Sequence, residues 1–150
     1  MRAFHSVADL ENAVGTHVGY SDWHPVTQRQ IDQFAEATGD HQWIHVDRDR
    51  AATGPFGSTI AHGYLTLSLV PMLTAEVYSV AGLQMGVNYG AERLRFPAPV
   101  PVDAHVRAGV EIISVTPGDA AYRLVARVTV ERQGSDKPVC VVDAVSVLVP

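Results

Sequence analysis

The spacing of hydrophobic positions changes partway along the chain. Between Thr27 and Thr38, Ile31, Phe34, Ala35 and Thr38 recur at helical spacing, and Thr27 followed by Gln30 has the form of a capping box. Gly39 is the residue expected just past the end of that helix. From Gly63 to Val77, Leu65, Leu69, Leu73 and Val77 return every four positions while Leu67, Val70 and Met72 fill the other faces. This predicts a long helix buried on nearly all sides. Pro71 interrupts it, because proline lacks the N–H that would bond to residue 67, and predicts a kink or a shortened helix. Beyond Gly82 the period becomes two. Leu94 and Phe96 alternate with Arg93 and Arg95, and Val106, Ala108, Val110 and Ile112 with His105, Arg107, Gly109 and Glu111. Tyr122, Leu124, Ala126, Val128 and Val130 repeat the pattern, with Gly118-Asp119 and Gly134-Ser135 as turns. Val139 to Val149 is apolar on both faces, as in a strand covered on both sides.

Helices early and consecutive strands late imply an α+β domain in which one long buried helix is wrapped by a curved antiparallel sheet, the hot-dog arrangement. The 150 residues suit one such domain over 1–150. A sheet of that size leaves an open edge, and a homodimer is the simplest way to cover it. Composition agrees with a folded core, at 47% hydrophobic and 18% charged residues. A net charge of -5 supplies no basic field for a phosphate backbone, which argues against nucleic acid as a partner. Cys140 is the single cysteine and has no internal disulfide partner. The first fifteen residues lack the apolar run of a signal peptide and the Arg/Ser-rich character of a transit peptide, so a cytoplasmic location is expected. The most apolar region, Gly63 to Met72, is broken by Thr66, Ser68 and Pro71 and is shorter than the ~20 residues that span a bilayer, so no membrane partner is expected.

Candidate chemistry concentrates between Asp40 and Gly63. The stretch Asp40 to Gly57 has no sustained period apart from a turn of helix over Asp47 to Ala52, and reads as a long loop. On it, Asp40 and His45 stand five residues apart, and a carboxylate with a neutral imidazole can orient and deprotonate water near pH 7. Spacing alone does not separate this from a turn aspartate and a solvated histidine. His41 and His45 have the i, i+4 spacing of zinc ligands, but Gly39 opposes a helix there and the Glu of H-E-x-x-H is missing, so no metal is expected. Nucleophilic catalysis finds no G-x-S-x-G elbow, and Gly82, Gly86 and Gly90 suit a strand edge or bulge better than a phosphate loop. Ile60-Ala-His-Gly-Tyr64 opens the apolar helix, where unpaired N–H groups and a glycine suit an oxyanion or, more plainly, a helix start.

Thr38-Gly-Asp40, the His five residues after that Asp, Ala51 six beyond, and Ala61-His-Gly63 at the head of an apolar helix together resemble the R-specific enoyl-CoA hydratase group of the MaoC-like dehydratases. The order of elements extends the resemblance over nearly the whole chain. The family pattern is Asp-x-Asn-Pro-x-His, and here Gln42 and Trp43 replace its Asn and Pro. The resemblance implies reversible, cofactor-free hydration of a trans-2-enoyl-CoA to the R-3-hydroxyacyl-CoA, with an acyl-CoA thioester as the partner. It implies that Asp40 and His45 hold the water, that one of them returns a proton to Cα, and that the Gly63 N–H binds the thioester oxygen. It places the acyl chain beside the Gly63 to Val77 helix, with Trp43, Phe56 and Tyr64 as candidate walls and Asn88-Tyr89 facing from the sheet. A supporting serine common in the family falls on no residue here, Thr66 and Ser68 being nearest. Arg93, Arg95 and Arg107 are the candidates for the CoA phosphates. Two other readings share the fold: an acyl-CoA thioesterase, and a non-catalytic acyl-CoA-binding or partner subunit.

Overall fold

The computed structural model describes residues 1–150. The chain runs β1 (Arg2–Phe4), α1 (Val7–Glu11), β2 (His17–Tyr20), β3 (His24–Pro25), α2 (Gln28–Thr38), α3 (Trp43–Val46), α4 (Arg48–Ala52), α5 (Gly63–Ser68) and α6 (Val70–Val77). The strands β4 (Tyr78–Val80), β5 (Met85–Arg95), β6 (His105–Pro117), β7 (Tyr122–Arg132) and β8 (Cys140–Val149) follow. A six-stranded antiparallel sheet has the order β2-β6-β7-β8-β5, with β3 also pairing to β6. β1 and β4 form a separate parallel pair.

The alternation in the sequence decides which face of the sheet is covered. Val106, Ala108, Val110 and Ile112 of β6, Leu124, Ala126, Val128 and Val130 of β7, and Cys140 and Val142 of β8 join Leu65, Leu73 and Val77 of the helices in one core. This is the hot-dog arrangement. Register shifts between Ile112 and Ser114 in β6 and between Asn88 and Gly90 in β5 mark bulges, which increase local bend and twist and so help the sheet curve around α5 and α6. Burial raises the Cys140 thiol to a pKa of about 11.

Several expectations need correction. The helix over Gly63 to Val77 is two helices joined at Leu69, whose φ of -79° and ψ of -17° remain near-helical. Pro71 is the second residue of α6, where a missing N–H leaves few bonds unmade. Nor is the pair wrapped all round: Tyr64 (68% exposed), Ser68 and Met72 form an open stripe at four-residue spacing. The Asp40 to Gly57 stretch contains α3 as well as α4, the latter capped by Asp47, which accepts the Arg50 N–H at 3.0 Å. The alternation of Leu94 and Phe96 with two arginines breaks at Arg93, whose φ of 52° coincides with a register shift, and Phe96 lies beyond the strand. On β8, Val141 and Val147 are half-exposed, and Asp143 is buried beneath Arg127, which donates to it through two nitrogens at 2.8 and 3.0 Å.

Candidate active site

Three segments converge on His45. Gly39, with a φ of +78°, ends α2 in the left-handed conformation that glycine adopts without strain, and turns the chain into Asp40. Asp40 folds the following turn locally, its Oδ1 accepting the Gln42 N–H at 3.3 Å. The short α3 then carries His45 inward, where it is 6% exposed. A backbone carbonyl only accepts, so the 2.7 Å contact between His45 Nδ1 and the Ile60 oxygen fixes the proton on Nδ1 and leaves Nε2 with its lone pair. Behind the histidine, Gln28 at the start of α2 donates from Nε2 to the His45 carbonyl at 2.8 Å and to Asp32 at 2.8 Å, while Thr59 donates to its Oε1. Removal from water is the main reason His45 has a lowered pKa, and nearby His62 adds to the effect; the Ile60 bond and Asp40 oppose it.

His62, at the cap of α5, completes the cluster. Its Nε2–H donates to the Asp40 carbonyl at 2.9 Å, and its ring stacks on His45 with centroids 3.8 Å apart and planes inclined by 23°. Donor atoms of Asp40, His45 and His62 lie within 4.8 Å of one another. These three are the residues that would have to hold a cation. Imidazole lone pairs lie in the ring planes, and two planes stacked in this way do not converge on a point as a tetrahedral ligand set requires. His41, the other half of the zinc spacing, stands apart on the surface near Glu36 at 3.8 Å.

His45 and Gly63 line one cavity of about 330 Å³, together with Phe56, Thr66, Phe96 and Val139. Gly63 is the first residue of α5, and a Cβ there would lie 2.8 Å from Cδ2 of Phe96. The close approach requires glycine at this point. Of the aromatic walls expected from sequence, only Phe56 lines this cavity. Trp43 instead packs under the Arg50 guanidinium at 4.3 Å, and Tyr64 faces solvent, its ring steeply inclined to that of Phe96. Thr66 belongs to the site, whereas Ser68 donates to the Tyr64 carbonyl at 2.7 Å and lines a different groove. Arg107 is committed elsewhere, over Tyr20 at 4.1 Å and Trp23 at 4.6 Å and paired with Glu131 at 2.9 Å. Sequence spacing assigns no role of their own to Gln28, Ile60 and His62. Ile60 and His62 stand in the segment that opens α5 beside Gly63, and no pattern in the sequence marks Gln28.

The sequence profile of the family described as MaoC-like domain matches residues 9–141. The 3-hydroxyacyl-thioester dehydratase Z of Mycobacterium tuberculosis is 51% identical over 146 residues, which cover 97% of each chain. Nodulation protein N of Rhizobium leguminosarum is 40% identical over 147 residues, covering 95% of this chain and 91% of that protein. Among solved structures, the R-hydratase PhaJ1 from Pseudomonas aeruginosa superposes with a TM-score of 0.72 at 27% identity, covering 97% of this chain and 85% of that one.

Proposed function

The chain belongs to the MaoC-like dehydratase family of hydro-lyases, and we propose that it is an R-specific enoyl-CoA hydratase, interconverting a trans-2-enoyl-CoA and the R-3-hydroxyacyl-CoA. The observation that carries this reading is the juxtaposition of a buried histidine, bearing a free Nε2 lone pair, with Asp40 on one side and a cavity shared with Gly63 on the other. In this reading, water sits between the Asp40 carboxylate and His45 Nε2, which together take its proton as oxygen bonds to Cβ. The electron pair of the double bond moves toward the thioester oxygen. The Gly63 N–H, unpaired at a helix start, stabilises that oxygen as it becomes negative. The proton held by the pair then passes to Cα, which completes the addition of one water.

The acyl chain takes the cavity lined by Phe56, Phe96 and Val139. The protein acts as a homodimer: β5 is the sheet edge, with Met85, Val87 and Tyr89 exposed, and an apolar groove of about 360 Å³ lies between it and the helix pair. The test is the loss of enoyl absorbance when protein is added to crotonyl-CoA and longer enoyl-CoAs. Asp40→Asn and His45→Gln are each expected to lower kcat by roughly 10²–10⁴-fold. Undiminished turnover in both variants would overturn the assigned roles, and free thiol released from saturated acyl-CoA would indicate hydrolysis instead.

A further inference from the structure

We propose that His62 is a positioning residue of this site, tying the Asp40 turn to the helix start that carries Gly63 and holding the plane of the His45 ring. The inference rests on the hydratase reading for its activity measurements, but its geometry stands independently. His62 is 3% exposed, its Nε2 donates to the Asp40 carbonyl at 2.9 Å, and its own carbonyl accepts the Thr66 N–H at 3.1 Å. One residue thus bonds the turn before α3 through its side chain and the first turn of α5 through its backbone. Phe34 of α2 also packs against the imidazole, with ring centroids 5.0 Å apart. The ring is therefore confined between Phe34 and His45.

The arrangement also selects a tautomer. Because a carbonyl accepts at Nε2, neutral His62 carries its lone pair on Nδ1, which is buried without a hydrogen-bond partner. The His62 ring stacks on His45 at 3.8 Å and adds to the lowering of the His45 pKa that burial produces. The other charged groups around His45 are Asp40, across the site, and Asp32 on α2, which reaches it only through Gln28. Asp40 favours the protonated histidine, so His62 is the neighbouring side chain that opposes it.

Two substitutions separate these roles. His62→Phe keeps a stacked ring and removes the N–H donor, whereas His62→Gln keeps a donor and removes the stacked ring. His62→Phe is expected to lower kcat on the order of ten-fold or more with KM little changed, because the Asp40 turn loses its anchor. His62→Gln is expected to recover part of that loss while moving the acid limb of the pH profile to higher pH. A ¹⁵N-histidine NMR titration without substrate should show the His45 pKa rising toward the ordinary value in both variants, with Nδ1 still protonated. Wild-type kcat in both variants together with an unchanged His45 titration would overturn the proposal. If His62→Phe does not fold, the titration of His62→Gln alone decides it. If the wild-type protein hydrates no enoyl-CoA, the hydratase reading fails while the NMR result still tests His62.

Discussion

At the scale of single residues, burial tunes His45, one member of the proposed catalytic pair. An exposed histidine would be half protonated near 6.5 and partly lost as a base. His45 is held below that value, so the acid limb of the kcat/KM profile is expected to fall below about 6.5, and a limb above it would show that another group controls the rate. The same shift bears on stability. The unfolded chain binds a proton at this position near 6.5, and the folded chain binds it only at lower pH. Stability from this group is therefore full above about 6.5 and declines as pH falls through the lowered folded value, a trend that urea midpoints measured across that range would read out. Gly63 is constrained by space. Gly63→Ala should push Phe96 out of contact and reduce kcat/KM roughly ten-fold or more, since small displacements at reacting groups are costly. Phe96→Ala in the same chain should return much of that loss if the collision is the cause.

Among the elements, α6 gives the core its anchor. Leu73 is fully buried and belongs to the cluster formed with the inner faces of β6 and β7, so Leu73→Ala is expected to cost about 2–5 kcal/mol in urea unfolding. Thr27→Ala removes the capping box of α2, whose threonine accepts the Gln30 N–H, and should cost about 1 kcal/mol. These elements were legible in sequence for a physical reason: a half-buried strand or an amphipathic helix imposes its period on many residues at once. Alternation marks β6 and β7, and a cap, apolar spacing and a terminal glycine mark α2. The features that escaped depend on few residues. α3 is four residues long and has no side-chain cap, so nothing local announces it. The break at Leu69 follows from one proline, and whether such a residue kinks, ends or merely starts a helix is decided by packing. Asp40, His45 and Gly63 stood out by spacing and resemblance. The contacts of His62 and Gln28 are long-range, joining positions 22 and 17 residues apart in sequence, and no period records them.

For the whole molecule, the proposed homodimer would rest on the open edge of the sheet. β5 leaves a full strand edge unpaired beside a groove lined by Leu67, Val70 and Tyr89, and Tyr89 is 72% exposed. The chain is expected to sediment at twice its own mass, and Val87→Lys with Tyr89→Lys to shift it toward the monomer; an unaltered dimer would place the contact elsewhere. No helix is long and apolar enough to cross a membrane. The lone cysteine gives the protein an internal clock. Cys140 lies on the inner face of β8, and a thiol with a pKa of about 11 is almost wholly unreactive at neutral pH. A thiol-directed dye should therefore leave the native protein unlabelled and mark each molecule only when the sheet opens. With excess dye, the rate of colour development would then time the opening of the central strands, with no mutation or added probe required.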